Sequence, residues 1–291
     1  MRPFRCLVFA VAVAVAVSVA APQAQRGDPP LPLTETLARI SDRVEQWYAR
    51  AQSLVSLESV SIQPLRSDLT SIDFPRRLAY ELRLAWDAPA DGGELPEANV
   101  VRQLLTINGR PPKPKDEAGC LDPKPVSPEP LSMLLAAQRG DYTFSVAGTA
   151  RVEGRAAMML DYRSVAAGEP EITYIRDCIS ISLPGRSRGR IWIDAATYDV
   201  LRLDERLSGM FDFSTPREQQ RRGAARNMTI ERADSSIRYK RVSFVDPDEI
   251  LMLPDVIETV TVIRGGGTQR NRITQRFSDY RRFITGGRVV Q

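Results

Sequence analysis

Between Gly189 and Leu207 the chain reads GRIWIDAATYDVLRLDERL, and its apolar positions fall at a period of two. Ile191 and Ile193 alternate with Arg190, Trp192 and Asp194, as side chains do on the two faces of a pleated strand. Ala195 to Asp199 interrupt the pattern. Leu201, Leu203 and Leu207 then resume it against Val200, Arg202, Asp204 and Arg206. Two such runs joined by a few turn-forming residues predict a β-hairpin, and similar alternation recurs along most of the chain.

One helix precedes the strands. Leu37, Ile40, Val44, Trp47 and Tyr48 form a single apolar stripe, which predicts a helix over 34–50 with Thr34 as its N-cap. Strands are expected over 54–65, 77–87 and 100–108. The second shows the clearest alternation, with Leu78, Tyr80, Leu82, Leu84 and Trp86 on one face. A loop over 89–96 separates it from the third. Residues 109–130 form a Pro-rich connection containing Cys120, and 131–138 a short helix. Strands over 142–152 and 155–163 flank a Glu153-Gly154 turn, the latter placing Ala156, Met158, Leu160 and Tyr162 on one side. The run 172–183 carries Cys178. After the central hairpin, 213–226 is polar and reads as a loop or ragged helix. Strands follow over 228–233, 237–245, 250–253, 256–264 and 270–283, with Gly265 to Gly267 as a hairpin turn. One helix followed by about ten or eleven strands predicts a mainly β, α+β architecture with one large antiparallel sheet.

The ends carry a different signal. Arg2 and Arg5, the apolar run from Leu7 to Val19 and the small residues Ser18 and Ala20 have the form of a cleavable secretory signal over 1–20. The run is short for a membrane span, and an uncleaved N-terminal anchor is the alternative. The Pro- and Gln-rich stretch 21–32 reads as a disordered arm, 33–285 as a single domain and 286–291 as a flexible tail. A periplasmic or secreted location follows, with no integral membrane span after cleavage.

Charge narrows the possible partners. The chain has 36 Arg and 4 Lys against 36 acidic residues, for a formal charge of +4. The basic residues are interspersed with acids, unlike the concentrated stripe of a nucleic-acid binder; only Arg217, Arg221, Arg222 and Arg226 cluster. Cys120 and Cys178 remain after cleavage, an even count that favours a disulfide in an oxidising compartment. Two buried free thiols are the other reading. The bond would be worth ~4 kcal/mol in the chain-entropy model.

No reaction is legible. Gly185-Arg186-Ser187-Arg188-Gly189 fits a G-x-S-x-G elbow, but a strand and not a helix follows it. The chain has no histidine, so a Ser-His-acid triad and a histidine-containing metal shell are both absent. The sequence is therefore read as Gly-rich turn and strand. Asp246-Pro247-Asp248-Glu249 lacks the oxygen-ligand spacing of a calcium loop and reads as a solvated turn. No enzyme and no cofactor are expected. Apolar surface remains: Leu82, Leu84, Trp86, Met158, Leu160, Met210 and Phe211 are candidate lining for an apolar pocket, with an ordinary packed core as the other reading of the same residues.

The segment from Tyr142 to Leu207 holds an alternating strand, Val152-Glu153-Gly154-Arg155, a second strand, and then Gly189-Arg190-Ile191-Trp192-Ile193-Asp194 with a returning strand. This order resembles the periplasmic lipoprotein-sorting carrier (LolA/LolB-like) superfamily, which also includes an envelope-stress sensor. The later segment from Ile237 to Phe283 is similar to uncharacterised bacterial members. The resemblance implies a half-open β-barrel, with one N-terminal helix and one or two short helices on its concave face, and an apolar cavity for acyl chains. It implies a non-enzymatic binder of a lipid or lipoprotein acyl chain. The alternative is a protein-interaction or stress-sensor module holding a periplasmic protein partner on the same sheet. Protein recovered from the periplasm should begin close to Ala21 by N-terminal sequencing; an intact Met1 would remove the export reading.

Overall fold

Alternating side chains dictate strands, and in the computed structural model strands dominate. The structure describes residues 31–51, 53–86, 98–116, 119–124, 130–175, 178–265 and 267–282. The expected signal over 1–20, the arm up to residue 30, the 89–96 loop and the 286–291 tail lie outside the described residues. Helix α1 covers Leu33–Arg50 and leads into β1 (Leu54–Pro64), β2 (Arg76–Trp86) and β3 (Ala98–Ile107). Two 3-10 turns, Leu131–Leu134 and Arg139–Asp141, precede β4 (Tyr142–Val152) and β5 (Arg155–Ser164). A small hairpin, β6 (Glu171–Ile175) and β7 (Cys178–Ser182), comes next. The central hairpin is β8 (Ser187–Asp194) and β9 (Val200–Leu207), followed by β10 (Phe211–Ser214) and the short α2 (Arg217–Arg221). Three long strands close the chain: β11 (Asn227–Val245), β12 (Asp248–Gly265) and β13 (Gly267–Arg282).

Eleven of these strands form one antiparallel sheet in the order β3-β2-β1-β13-β12-β11-β9-β8-β5-β4, with β10 paired to β11. The sheet is not closed: β3 and β4 are its two ends. The N-terminal strand β1 lies beside the C-terminal strand β13, with Leu54 opposite Arg282.

Helix α1 makes this sheet curve. The Tyr48 ring lies 4.7 Å from the Trp86 ring on β2. Trp47 Nε1 donates to the Met252 carbonyl on β12 at 2.6 Å, and Arg43 Nε donates to Asp199, beyond the end of β8, at 2.6 Å. From β2 to β8 is six strand steps, about 29 Å across a flat sheet at roughly 4.8 Å per step. A helix about 10–12 Å across reaches both only if the sheet bends round it. The helix stripe therefore meets Leu84 and Trp86, Leu160, Ile191 and Ile193, Leu203, Leu253 and Phe277 in one buried cluster. Leu131, Met133, Leu134 and Leu135 wedge into the same cluster.

A smaller cluster, Val60, Ile62, Leu78 and Tyr80, lies further along β1 and β2. Between the two sits a buried charge. Glu58 is 1% exposed; it accepts from Arg102 Nε at 2.7 Å and from Gln275 Nε2 at 2.6 Å. Alternation puts Glu58 on the same face as Ser56 and Val60, so the carboxylate is satisfied by its cross-strand neighbours on β3 and β13 and not by water.

Several boundaries differ from expectation. Helix α1 has Pro32 at its N-cap, with no side-chain cap, so Thr34 does not serve. The expected helix over 131–138 is a single 3-10 turn at Leu131–Leu134 that runs on into turns, with Leu131, Met133 and Leu134 buried. The run 172–183 holds two strands, β6 and β7, with Ile175 paired to Cys178. The polar 213–226 segment holds β10 and α2. The expected breaks at 234–236 and 254–255 are continuous strand. Asp234 and Ser236 pair with Arg206 and Asp204 on β9, and the Ser236 hydroxyl donates to Asp204 at 2.7 Å. Pro254 is accommodated opposite a register shift at Arg238/Tyr239, since a bulge tolerates a residue without an N–H. Glu249 is not solvated: it holds Arg50 at 3.0 Å and also pairs with Arg282, tying α1 to β12 and β13.

Arg102→Ala leaves Glu58 buried without its cation and should cost about 3–5 kcal/mol of unfolding free energy in urea titration. Replacing Glu58 and Arg102 together by Leu should restore much of that loss, as removing both partners of a buried pair does.

Candidate functional site

Beyond the end of the α1 plug the concave face stays open. A cavity of ≈ 500 Å³ lies there. Its floor alternates along the long strands: Ile230 and Ala233 on β11, Thr259, Thr261 and Ile263 on β12, Ile273 and Gln275 on β13, and Leu207 on β9. These continue the faces that carry Ile237, Ile257 and Phe277 into the core, because side chains two apart share a face. The roof is Cys120 to Lys124 on one side and Ile179, Ile181 and Leu183 on the other.

A Cys120–Cys178 disulfide joins the two halves of the roof, with the Cα atoms 5.1 Å apart. Polar contacts anchor the first half to the sheet. Arg76 donates to both carboxylate oxygens of Asp122 at 3.2 and 2.9 Å. Arg102 also donates to the Lys124 carbonyl, and the Lys124 ammonium donates to Ser180 on β7. The buried Glu58–Arg102 pair therefore stands directly behind the roof.

The wall toward β8 is polar. Tyr162, Gly189 and Glu205 are opposite one another on β5, β8 and β9. A Cβ on Gly189 would lie 2.7 Å from the Tyr162 ring and 1.9 Å from the Asp204 carbonyl. Only glycine lets the Tyr162 ring cross β8 and donate its hydroxyl to Glu205 at 3.0 Å. Burial raises the Glu205 carboxyl above its ordinary 4.5, while bonds from Tyr162 and Ser187 pull it down. Burial also pushes the Tyr162 phenol well up, and the Glu205 charge adds to this. Arg186 stands over the Phe211 ring at 5.1 Å and lines the cavity; its Nε is buried without a hydrogen-bond partner among the described residues. Ser187, from the G-x-S-x-G match, opens β8 as expected of a turn entering the hairpin. Gly185 takes φ +67°, and a Cβ there would meet the Ala166 carbonyl at 1.9 Å.

The seven residues named from sequence do not meet round this cavity. Leu82, Leu84, Trp86 and Leu160 are buried in the α1 cluster. The space beside Leu82 and Leu84 is only ≈ 20 Å³, room for about one water. Met158 is half-buried against the same cluster. Met210 is 69% exposed. Phe211 does not line the cavity but adjoins two residues that do, Arg186 over its ring and Ile230 opposite it on β11. Sequence reasoning passed over Ile230, Ile263, Ile273, Ile179 and Ile181. Their alternation was legible, but which part of the face α1 leaves uncovered was not. The available clue was the cysteine pair, which draws the Pro-rich connection onto the strand that carries Cys178.

No protein-family model matches the sequence, and no curated protein sequence does. Among solved structures the chain is similar to a LolA superfamily protein from Nitrosomonas europaea, at 11% identity, covering 87% of this chain and 96% of that one, TM-score 0.31. It is also similar to a putative outer membrane lipoprotein-sorting protein domain from Vibrio parahaemolyticus, at 10% identity, 88% and 95% coverage, TM-score 0.36. The Pseudomonas aeruginosa MucA/MucB complex matches at 11% identity, 84% and 99% coverage, TM-score 0.22. Among the described residues no helix is long and apolar enough to cross a membrane.

Glu205 predicts a pH dependence. Its folded carboxyl titrates above its unfolded value, so its contribution to stability is present at low pH and lost as pH rises through the folded value. Glu205→Gln should therefore gain stability relative to the native chain between about pH 4 and pH 8, read as the difference in Tm at the two ends. A difference that stays constant across that window would mean the carboxyl does not titrate there.

Proposed function

We propose that this chain is a non-enzymatic periplasmic binding protein that takes an apolar ligand, such as a lipid or a lipoprotein acyl chain, into the cavity beneath the Cys120–Cys178 roof. The observation that carries this reading is the uncovered stretch of concave sheet. It offers ≈ 500 Å³ between isoleucine-bearing strands and a roof that brings Leu121, Ile179, Ile181 and Leu183 over them, within the range of roughly 300–1,000 Å³ of ligand pockets. Apolar surface left open in this way is stabilised by an apolar occupant. Polar groups also line it, among them Glu205, Thr259, Thr261 and Gln275 on the wall and floor and Asp122, Lys124 and Ser180 in the roof, and these can orient the ligand's polar end. Arg186, at the Phe211 side, is a half-buried cation whose buried Nε has no hydrogen-bond partner among the described residues.

One observation favours a second reading, a protein-interaction or envelope-stress sensor module. Strand β4 is a sheet end, and Val146 on it is 56% exposed. An exposed edge of this kind accepts an added strand from a partner.

A fluorescent acyl probe separates the two. Native protein should bind it, and Ile263→Arg should weaken binding at least tenfold, about 1.4 kcal/mol, because an unpaired charge in an apolar site is costly. Ile263 is half-buried, so the arginine head can reach water and the fold should survive. Native protein that ignores the probe would end the carrier reading and leave the β4 edge as the site to pursue.

A further inference from the structure

The opposite face of the central hairpin carries an arrangement that neither the core nor the cavity requires. Arg163 on β5 is directly opposite Arg188 on β8, and Arg188 is directly opposite Arg206 on β9. All three are exposed. Residues facing each other across antiparallel strands share a face, and like charges so placed repel. Three guanidinium groups thus form a ladder across three adjacent strands, about 10 Å from first to last at roughly 4.8 Å per step.

Neighbouring carboxylates do not neutralise the ladder, because each is already matched. Asp161 takes Arg190 on both oxygens, at 2.6 and 3.0 Å. Asp204 takes Arg202 in the same two-pronged way at 2.8 Å. Asp234, the next residue along the row, holds Arg232 at 2.6 Å. No ion pair involves Arg163, Arg188 or Arg206 among the described residues. The ladder forms the basic wall of a groove of ≈ 630 Å³ that also contains Asp161, Arg190, Trp192 and Asp204. Trp192 is itself covered by the Arg202 guanidinium, 4.7 Å from its ring.

The geometry points to a second ligand site here: this groove binds a small molecule bearing a phosphate or diphosphate group, held between the Arg163, Arg188 and Arg206 guanidinium groups. Guanidinium presents paired donors that match phosphate oxygens. A multiply charged anion relieves the repulsion that the empty ladder carries. The site is concave and of molecular size, which suits a discrete ligand better than a flat bilayer surface. Arg163 and Arg188 line this groove and not the acyl cavity, whereas Arg206 borders both; the proposal does not depend on the acyl reading.

Inorganic pyrophosphate is the probe, titrated calorimetrically into the full chain at low ionic strength. Native protein should bind it, with a rise in Tm, and added salt should weaken the binding. Arg188→Gln should weaken it at least tenfold while leaving the ligand-free Tm unchanged or higher, because it removes a like charge. A merely structural arginine would lower that Tm. Arg206→Gln should repeat the result, and Arg110→Gln, at an exposed arginine outside the groove, should not. Three outcomes would overturn the site: no binding by native protein, equal binding by Arg188→Gln, or binding only to vesicles containing phosphatidylglycerol, which would make the face a membrane contact.

Discussion

The fold depends on burying one helical stripe against strands that would lie far apart in a flat sheet. Leu37, Ile40, Val44, Trp47 and Tyr48 need apolar cover, and no single pair of strands can supply it. The sheet meets that need by bending, until Trp86 on one limb and Ile193 and Leu203 on the other belong to the same cluster as α1. Directional bonds hold the bend: Trp47 to the Met252 carbonyl, Arg43 to Asp199, and Arg50 to Glu249. Hydrophobic burial supplies most of the driving force but has no preferred orientation; these bonds select where along the sheet the helix sits.

That placement divides the concave face. Where α1 lies, the strands' inward residues are core. Past its end the same strands, at the same period, present residues that no helix covers. The chain covers this second part with irregular backbone, a Pro-rich segment and a two-stranded hairpin, cross-linked by Cys120–Cys178 and backed by the buried Glu58–Arg102 pair. Such a cover satisfies its own backbone through Asp122 and Lys124 and leaves volume beneath it. Core and cavity are therefore two ends of one surface, separated by the length of a single helix.

The alternation in 189–207 and 77–87 made the strands legible, and the i, i+3, i+4 stripe made α1 legible, because both depend on neighbours in sequence. Two kinds of feature escaped. Asp234-Ser235-Ser236 has no apolar residue to carry the alternation across, whereas cross-strand partners on β9 satisfy those residues. Leu82, Leu84 and Trp86 present the cleanest apolar face in the sequence, which suits a pocket; a clean apolar face is also what a packed helix needs. The wall of the ≈ 500 Å³ cavity alternates isoleucine with threonine and glutamine, a weaker pattern. The arginine ladder escaped for a related reason: Arg163, Arg188 and Arg206 are distant in sequence, and only the register of three strands makes them neighbours.

The pairing of β1 with β13 has a consequence for how the chain reaches this state. Leu54 meets Arg282, so β1, β2 and β3 cannot join the rest of the sheet until the last strand has been made. Contacts of such long sequence separation form slowly, since the loop-closure entropy is spent before they contribute. An N-terminal segment emerging first finds its helix stripe and three strands but not the strands that complete their burial. The topology thus keeps β1, β2 and β3 incompletely buried until β13 has been made, so the first half of the sheet depends on a strand more than two hundred residues away.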